Sequence, residues 1–217
     1  MRVKNLQAVI WDFGGVLTSS PFEAFNRYEA ERGLPTDFIR GVNAVKGDTN
    51  AWAQFERNDI DAAAFNDQFR KEALARGHDV PGEDVLALLA GSIRAPIVEA
   101  LKTCKLQVKV GCITNNVKSG KGAGMTQDEA KAKTVAEIMS LFDHVIESSK
   151  VGLRKPDPRI YALMCEALDV EPKNCIYIDD LGINLKPARA MGMTTIKALS
   201  QTQILADLAA VTGFDFD

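Results

Sequence analysis

The sequence predicts an α/β protein in which a doubly wound parallel sheet carries a small, all-helical domain inserted after its first strand. Three observations lead to this prediction. Short apolar runs rich in β-branched residues are bounded by turn signals, helical patterns separate the later runs, and a long helical stretch separates the first two. Strands that alternate with helices indicate βαβ units, and hence a parallel sheet covered on both faces.

The predicted strands are short and apolar, and the helices between the later ones have recognisable start and stop signals. Pro158 suits the first turn of one helix, and Gly192 follows the end of another. We predict strands at residues 6–12, 107–114, 144–147, 175–179 and 194–197, and helices at residues 128–141, 157–168 and 184–191.

The interval between the first two strands is much longer than a crossover requires. It has roughly 90 residues, whereas a βαβ connection needs only about a dozen. Its pattern is that of consecutive helices, which is most simply a separate small domain. We therefore predict an α/β core of residues 1–17 plus 96–217, and a helical domain of residues 18–95. The helices predicted there are residues 22–32, 36–45, 51–57, 62–76 and 83–90.

Composition and charge narrow the class of protein. The chain has 217 residues, 46% of them hydrophobic and 25% charged, with a net charge of −3. That balance gives no general attraction to nucleic acid or to an anionic membrane surface. The widely spaced cysteines argue against a zinc site or a disulfide framework. No apolar stretch approaches the roughly 20 residues of a membrane span. We expect a cytoplasmic protein with neither a nucleic acid nor a membrane partner, and make no prediction of its oligomeric state.

Polar residues follow three of the predicted strands. Asp12 ends the first strand, Thr114-Asn115-Asn116 ends the second, and Asp179-Asp180 ends the fourth. In an open parallel sheet, ligands bind beyond the carboxyl ends of the strands, where the strand order reverses. If the first strand is central, with the second and fourth beside it, these groups meet in one cleft.

Four motifs succeed one another in order along the chain: DFGGVLTSS, CITNN, GLRKPDPRIY and IYIDDLGINLKPARAMGM. This ordered set resembles the haloacid dehalogenase superfamily of aspartyl-nucleophile hydrolases. Within it, the sequence is most similar to the phosphatase-like N-terminal domain of soluble epoxide hydrolases and its bacterial relatives. The resemblance implies a phosphatase of small phosphorylated metabolites, with the inserted helices as its cap domain.

The resemblance also implies a nucleophile and a metal site. Asp12 would attack phosphorus and form an aspartyl phosphate, which splits one hard hydrolysis into two easier steps. A cation must separate two anions, and Mg²⁺ suits an all-oxygen site. The metal ligands implied are the Asp12 carboxylate, the Gly14 backbone carbonyl and Asp180, with Asp179 acting through water.

Four further roles follow from the same resemblance. Thr114 and Asn115 would hold the phosphate, because donors at a strand end can reach phosphoryl oxygens. Lys155 would pair with both Asp12 and the phosphate, as a catalytic and phosphate-binding residue. Asn184 corresponds to a polar position that supports the metal site from outside it.

Gly14 departs from the family pattern. Phosphatases of the superfamily usually carry a second Asp here, which protonates the leaving oxygen and then activates water. General acid–base help is worth about 10²–10⁴ in rate. Three readings follow: a phosphatase restricted to good leaving groups or borrowing an acid from the cap, a 2-haloacid dehalogenase, or a protein that binds a phosphorylated ligand with little turnover. The Asp179-Asp180 pair argues against the dehalogenase.

A glycine-rich stretch lies between the second strand and the next helix. The glycines at positions 120, 122 and 124 match neither a P-loop nor a dinucleotide-binding fingerprint, so we expect a loop there. Four lysines here, Lys118, Lys121, Lys131 and Lys133, are interleaved with Asp128 and Glu129, which favours a solvated face over a nucleic-acid patch.

Overall fold

The structure is a computed structural model that describes residues 2–117, 125 and 128–216. Its centre is a five-stranded, wholly parallel sheet in the order β3-β2-β1-β4-β5. The predicted strands are confirmed, with the first two shortened at their ends. The strands are β1 (Ala8–Trp11), β2 (Lys109–Thr114), β3 (His144–Glu147), β4 (Cys175–Asp179) and β5 (Thr194–Lys197).

Helices cover both faces of the sheet, because the strands are apolar on both sides. On one face, α6, α7 and α11 pack against alternate strand residues such as Trp11 and Cys112. On the other, α9 and α10 pack against the alternate set, which includes Ile10 and Tyr177. The helices of the core are α6 (Ala95–Lys105), α7 (Glu129–Met139), α8 (Ser148–Val151), α9 (Pro158–Leu168), α10 (Gly182–Ala190) and α11 (Gln201–Thr212).

Residues 18–95, which we call the helical insertion, contribute five helices between β1 and α6. They surround a hydrophobic cluster of their own, in which the rings of Phe55 and Phe65 stack at 4.7 Å. The two ends of the insertion meet, since Ser19 N–H donates to the Ser92 carbonyl at 2.8 Å. Its helices are α1 (Pro21–Glu31), α2 (Phe38–Ala44), α3 (Ala51–Glu56), α4 (Ala62–Leu74) and α5 (Gly82–Ala87).

Three core helices were not predicted: α6, the short α8 and the C-terminal α11. The predicted loop with glycines 120, 122 and 124, together with Lys118 and Lys121, lies outside the described residues. Within the described part of the chain, no helix combines the length and the apolar character that a membrane crossing demands.

The strand order brings the predicted strand ends together. β1 is central and pairs with β2 on one side and β4 on the other, so the residues that follow it lie between the ends of both neighbours. The chain passes from β1 to β2 and β3 on one side of the sheet and then crosses to β4 and β5 on the other, so the strand order reverses at β1 and a crevice forms at its carboxyl edge.

Candidate active site

Asp12 extends the central strand by one residue and projects its carboxylate from the carboxyl edge of the sheet. Its N–H donates to the Ile178 carbonyl at 2.8 Å, which continues the ladder between β1 and β4. Its Oδ1 accepts from the Phe13 N–H at 2.7 Å and lies 2.8 Å from the Lys155 Nζ. The residue is 7% exposed. One oxygen of a nearly buried carboxylate is thus fixed by a backbone donor and an ammonium.

Both the side chain and the backbone of Lys155 have polar partners. Its Nζ lies 2.8 Å from Asp12 Oδ1 and 2.8 Å from Asp179 Oδ2, and the residue is 1% exposed. Its backbone N–H donates to Asn115 Oδ1 at 2.9 Å, and its carbonyl accepts from Asn115 Nδ2 at 3.0 Å. Burial acts to lower the pKa of Lys155, but the Asp12 and Asp179 carboxylates outweigh it and raise that pKa above its usual value. The ammonium therefore stays charged at neutral pH.

Asp179 is the fully buried anchor of this ammonium. Because side chains alternate along a strand, Tyr177 lies on the same face of β4, and its hydroxyl donates to Asp179 Oδ2 at 2.6 Å. The Leu181 N–H donates to Oδ1 at 2.8 Å, and Asn184 Nδ2 lies 3.1 Å from both oxygens. These partners and Lys155 satisfy both oxygens of a side chain with 0% exposure.

Asp180 points toward the first loop of the chain. Its Oδ2 accepts from the Ser20 hydroxyl at 3.3 Å. A Cβ at position 15 would lie 2.2 Å from the same oxygen, and Gly15 has a φ of +76°, so both space and backbone require glycine there. Burial, followed by the nearby Asp179 carboxylate, raises the pKa of Asp180 to about 6.

Among the described residues around Lys155, there are more carboxylates than ammonium groups. Asp12, Asp179 and Asp180 place oxygens within 4.8 Å of one another, around the single Lys155 charge. Burial raises the pKa of Asp12 well above its usual value; Lys155 lowers it, and the two other acids raise it further. A hard divalent cation with oxygen ligands would offset this negative charge. The donor set and the charge excess therefore fit Mg²⁺.

The end of β2 supplies the other predicted residues. Thr114 is buried and lines the same cavity as Asp12 and Asp180. The Asn115 side chain contacts the backbone of Lys155 instead of standing free. Asn116 donates through Nδ2 to Glu147 at 2.6 Å and accepts from the Ser149 hydroxyl at 2.9 Å. This loop is therefore tied both to β3 and to the segment that carries Lys155.

A cavity of about 890 Å³ opens above these residues. Its floor holds Asp12, Thr114, Lys155 and Asp180, and its walls come largely from the helical insertion and include Trp52. A Cβ built at Gly14 meets no described atom within 4 Å. The position that lacks an acid thus has room for a side chain.

The structure adds three residues that sequence reasoning did not single out. Ser20 caps α1 and contacts Asp180, while Glu56 at the end of α3 contacts Arg154, the neighbour of Lys155. Ser20 and Arg154 each stand in one of the four motifs but carried no signal beyond their place there. Ser20 and Glu56 could be found only once the packing of the insertion against the core was known.

Known proteins resemble this chain in sequence. The sequence model of the haloacid dehalogenase-like hydrolases matches residues 6–192. Bifunctional epoxide hydrolase 2 of Mus musculus is 31% identical over 222 residues, covering 97% of this chain; the matched part is 40% of the length of the mouse protein. Phosphatase MT3486 of Mycobacterium tuberculosis is 31% identical over 199 residues, covering 87% of this chain and 85% of that protein.

Solved structures share the fold. A HAD family enzyme from Bacteroides thetaiotaomicron, crystallised in complex with magnesium and inorganic phosphate, aligns with a TM-score of 0.60 at 19% identity. The alignment covers 92% of this chain and 98% of the bacterial chain. At that identity the likeness shows a common fold.

Proposed function

The chain belongs to the haloacid dehalogenase-like hydrolase family, and we propose that it is a Mg²⁺-dependent phosphatase of small phosphorylated metabolites, working through an aspartyl phosphate on Asp12. One observation carries the proposal. A nearly buried carboxylate at the end of the central strand lies 2.8 Å from a buried ammonium and beside two further acids, at the floor of a cavity.

Two relatives support the choice of phosphate chemistry. Phosphatase MT3486 matches most of this chain along most of its own length. The Bacteroides thetaiotaomicron enzyme of the same fold was crystallised with magnesium and inorganic phosphate. The chain also retains adjacent acids at residues 179–180, which would serve a metal and are not needed for halide displacement.

In the first step, Asp12 would attack phosphorus while the bond from phosphorus to the leaving oxygen breaks. Lys155 would keep the nucleophile ionised and offset the charge of the phosphoryl oxygens, helped at the end of β2 by the Thr114 hydroxyl and the backbone N–H of Asn115. Mg²⁺, when bound by Asp12, the Gly14 carbonyl and Asp180, with Asp179 acting through water, would supply the remaining positive charge.

In the second step, water would hydrolyse the aspartyl phosphate and return the Asp12 carboxylate. Gly14 supplies no acid to protonate the leaving oxygen in the first step and no base to activate the water in the second. Alcohols that are poor leaving groups would therefore react slowly. We propose a preference for phosphate esters whose leaving group departs without a proton.

Residues 18–95 would act as a cap domain over a core of residues 1–17 plus 96–217. The cavity supports this division, since its floor comes from the strand ends and much of its wall from the insertion. In that arrangement the core provides the chemistry, and the insertion decides which alcohol portions fit.

Hydrolysis of p-nitrophenyl phosphate, with and without Mg²⁺, tests the proposal, because nitrophenolate leaves with little need of protonation. We expect Mg²⁺-dependent turnover that Asp12→Asn abolishes and the control Asp61→Asn preserves. Asp61 caps α4 far along the insertion, and Asn caps helices equally well. Absence of turnover in the wild type would contradict the phosphatase assignment and favour a binding-only protein, with 2-haloacid hydrolysis as the next assay.

A further inference from the structure

One buried carboxylate of the helical insertion contacts the core beside the proposed catalytic lysine. Glu56, the last residue of α3, is 6% exposed. Its Oε2 accepts from Arg154 Nε at 2.6 Å and from Asn115 Nδ2 at 3.4 Å. A single side chain of the insertion therefore contacts two separate segments of the core.

Those two segments flank the site. Arg154 directly precedes Lys155, and Asn115 directly follows Thr114. The Asn115 amide pairs with both backbone polar atoms of Lys155, at 2.9 Å and 3.0 Å. Because Glu56 accepts from the Nδ2 of this amide, it favours the amide orientation that fits Lys155.

Arg154 strengthens the connection. Its Nη1 donates to the Gly47 carbonyl at 3.0 Å, so the guanidinium contacts the insertion at two points. The paired side chains of Arg154 and Glu56 are only 18% and 7% exposed. Removing one partner of a pair so shielded from water lowers the free energy of unfolding more than removing one partner of a surface pair does.

We propose that Glu56 is a positioning residue, which holds Lys155 against Asp12 through Arg154 and Asn115 when the insertion lies on the core. Its role in turnover rests on the proposed phosphatase function; its role in fixing the Lys155 backbone does not. The insertion would then do more than shape the cavity, because its packing would set the geometry of the lysine.

The test compares Glu56→Gln with Glu29→Gln. Glu29 is also a buried carboxylate of the insertion, but it accepts from the backbone N–H groups of Asp37 and Ile39 and does not line the cavity. Both changes keep side-chain size and remove a buried charge. Thermal unfolding of each variant identifies any general loss of stability, and Glu56→Asp provides a milder second change.

We expect Glu56→Gln to lower kcat for p-nitrophenyl phosphate by about tenfold to a hundredfold, as a small misplacement of a catalytic group does, with KM changed much less. Glu29→Gln should keep kcat within about twofold, and Glu56→Asp should lie between. In a double-mutant cycle, Arg154→Gln should add little to the loss in Glu56→Gln, since the two act through one contact. An unchanged kcat in Glu56→Gln would overturn the proposal.

A second readout needs no turnover. The Lys155 N–H donates to Asn115, so its hydrogen exchange, followed residue by residue by NMR, reports on the same contact. We expect exchange at Lys155 at least tenfold faster in Glu56→Gln and unchanged in Glu29→Gln. Equal protection in both variants would overturn the proposal even if the wild type proved inactive, an outcome that would count separately against the phosphatase assignment.

Discussion

The carboxyl edge of the sheet and the interior of the helical insertion are both buried, but charged side chains form the first and aromatic side chains the second. At the edge of the sheet, Lys155 forms ion pairs with both Asp12 and Asp179. The interior of the insertion is an aromatic cluster in which Phe65 contacts Phe55, Phe69 and Trp52. The difference indicates that the strand ends fix the positions of the Asp12 and Asp179 carboxylates, whereas the packing of the insertion shapes the space above them.

The Gly14→Asp variant tests the division most strongly, because it adds to the core the acid that position 14 lacks. The cavity has room for the side chain. We expect kcat/KM for an alkyl phosphate to rise about 10²–10⁴-fold, with a much smaller gain for p-nitrophenyl phosphate. Steady-state kinetics measure the change in kcat/KM for each ester, and hence the ratio of the two changes.

Gly14→Asn is the matched control for that experiment, since it has the same size and cannot transfer a proton as a carboxylic acid does. It should leave the preference between the two esters unchanged. An equal effect of Asp and Asn, with the fold intact, would show that a missing acid does not limit the site.

The Lys155→Met variant measures how much the charged edge depends on the Lys155 ammonium. It leaves two buried carboxylates without their partner, a change that costs about 3–5 kcal/mol in the free energy of unfolding. Urea unfolding in metal-free buffer at pH 7 measures the loss. The control Lys102→Met removes an exposed pair with Glu99 and should change stability by less than about 0.5 kcal/mol. Similar losses in both variants would contradict the account of the site.

Mg²⁺ should stabilise the folded protein through the same edge. At a free Mg²⁺ concentration of about 100 times its Kd, binding to the native state adds about 2.7 kcal/mol, seen as a rise in Tm. Asp180→Asn should remove most of that rise, because it takes away a proposed ligand. A full Mg²⁺-dependent rise in Asp180→Asn would place the ion elsewhere.

The Phe65→Leu variant should have the smallest effect on catalysis. Phe65 is fully buried in the aromatic cluster and does not line the cavity. We expect the free energy of unfolding to fall by about 1–2 kcal/mol, with kcat for p-nitrophenyl phosphate unchanged. A drop in kcat that matches the loss in Asp12→Asn would show that the two regions are not separable in this way.

The polar groups at the carboxyl edge of the sheet could be predicted from the sequence, because each of them ends a predicted strand. Asp12, Thr114 and Asp179 each end an apolar run, and parallel strands end at one edge whatever the helices do. Asn184 was predicted from the family resemblance alone, and it contacts Asp179 from the first turn of α10.

Contacts from the insertion could not be predicted in this way. Ser20 and Glu56 reach the site because of how α1 and α3 pack on the core, and helix spacing alone does not fix that packing. Asn115 was predicted to hold phosphate, and its contacts with the Lys155 backbone depend on a loop path that no local pattern shows.

The most direct test of the central claim is to look for phosphate on Asp12 during turnover. With a good leaving group, the first step needs no acid, while the second step still lacks a base at Gly14, so the aspartyl phosphate should accumulate. Rapid acid quench with p-nitrophenyl phosphate and Mg²⁺, followed by peptide mass spectrometry, should show phosphate on Asp12 together with a burst of nitrophenolate. Gly14→Asp should diminish both. Turnover by the wild type with no phosphate on Asp12 at any quench time would contradict the account.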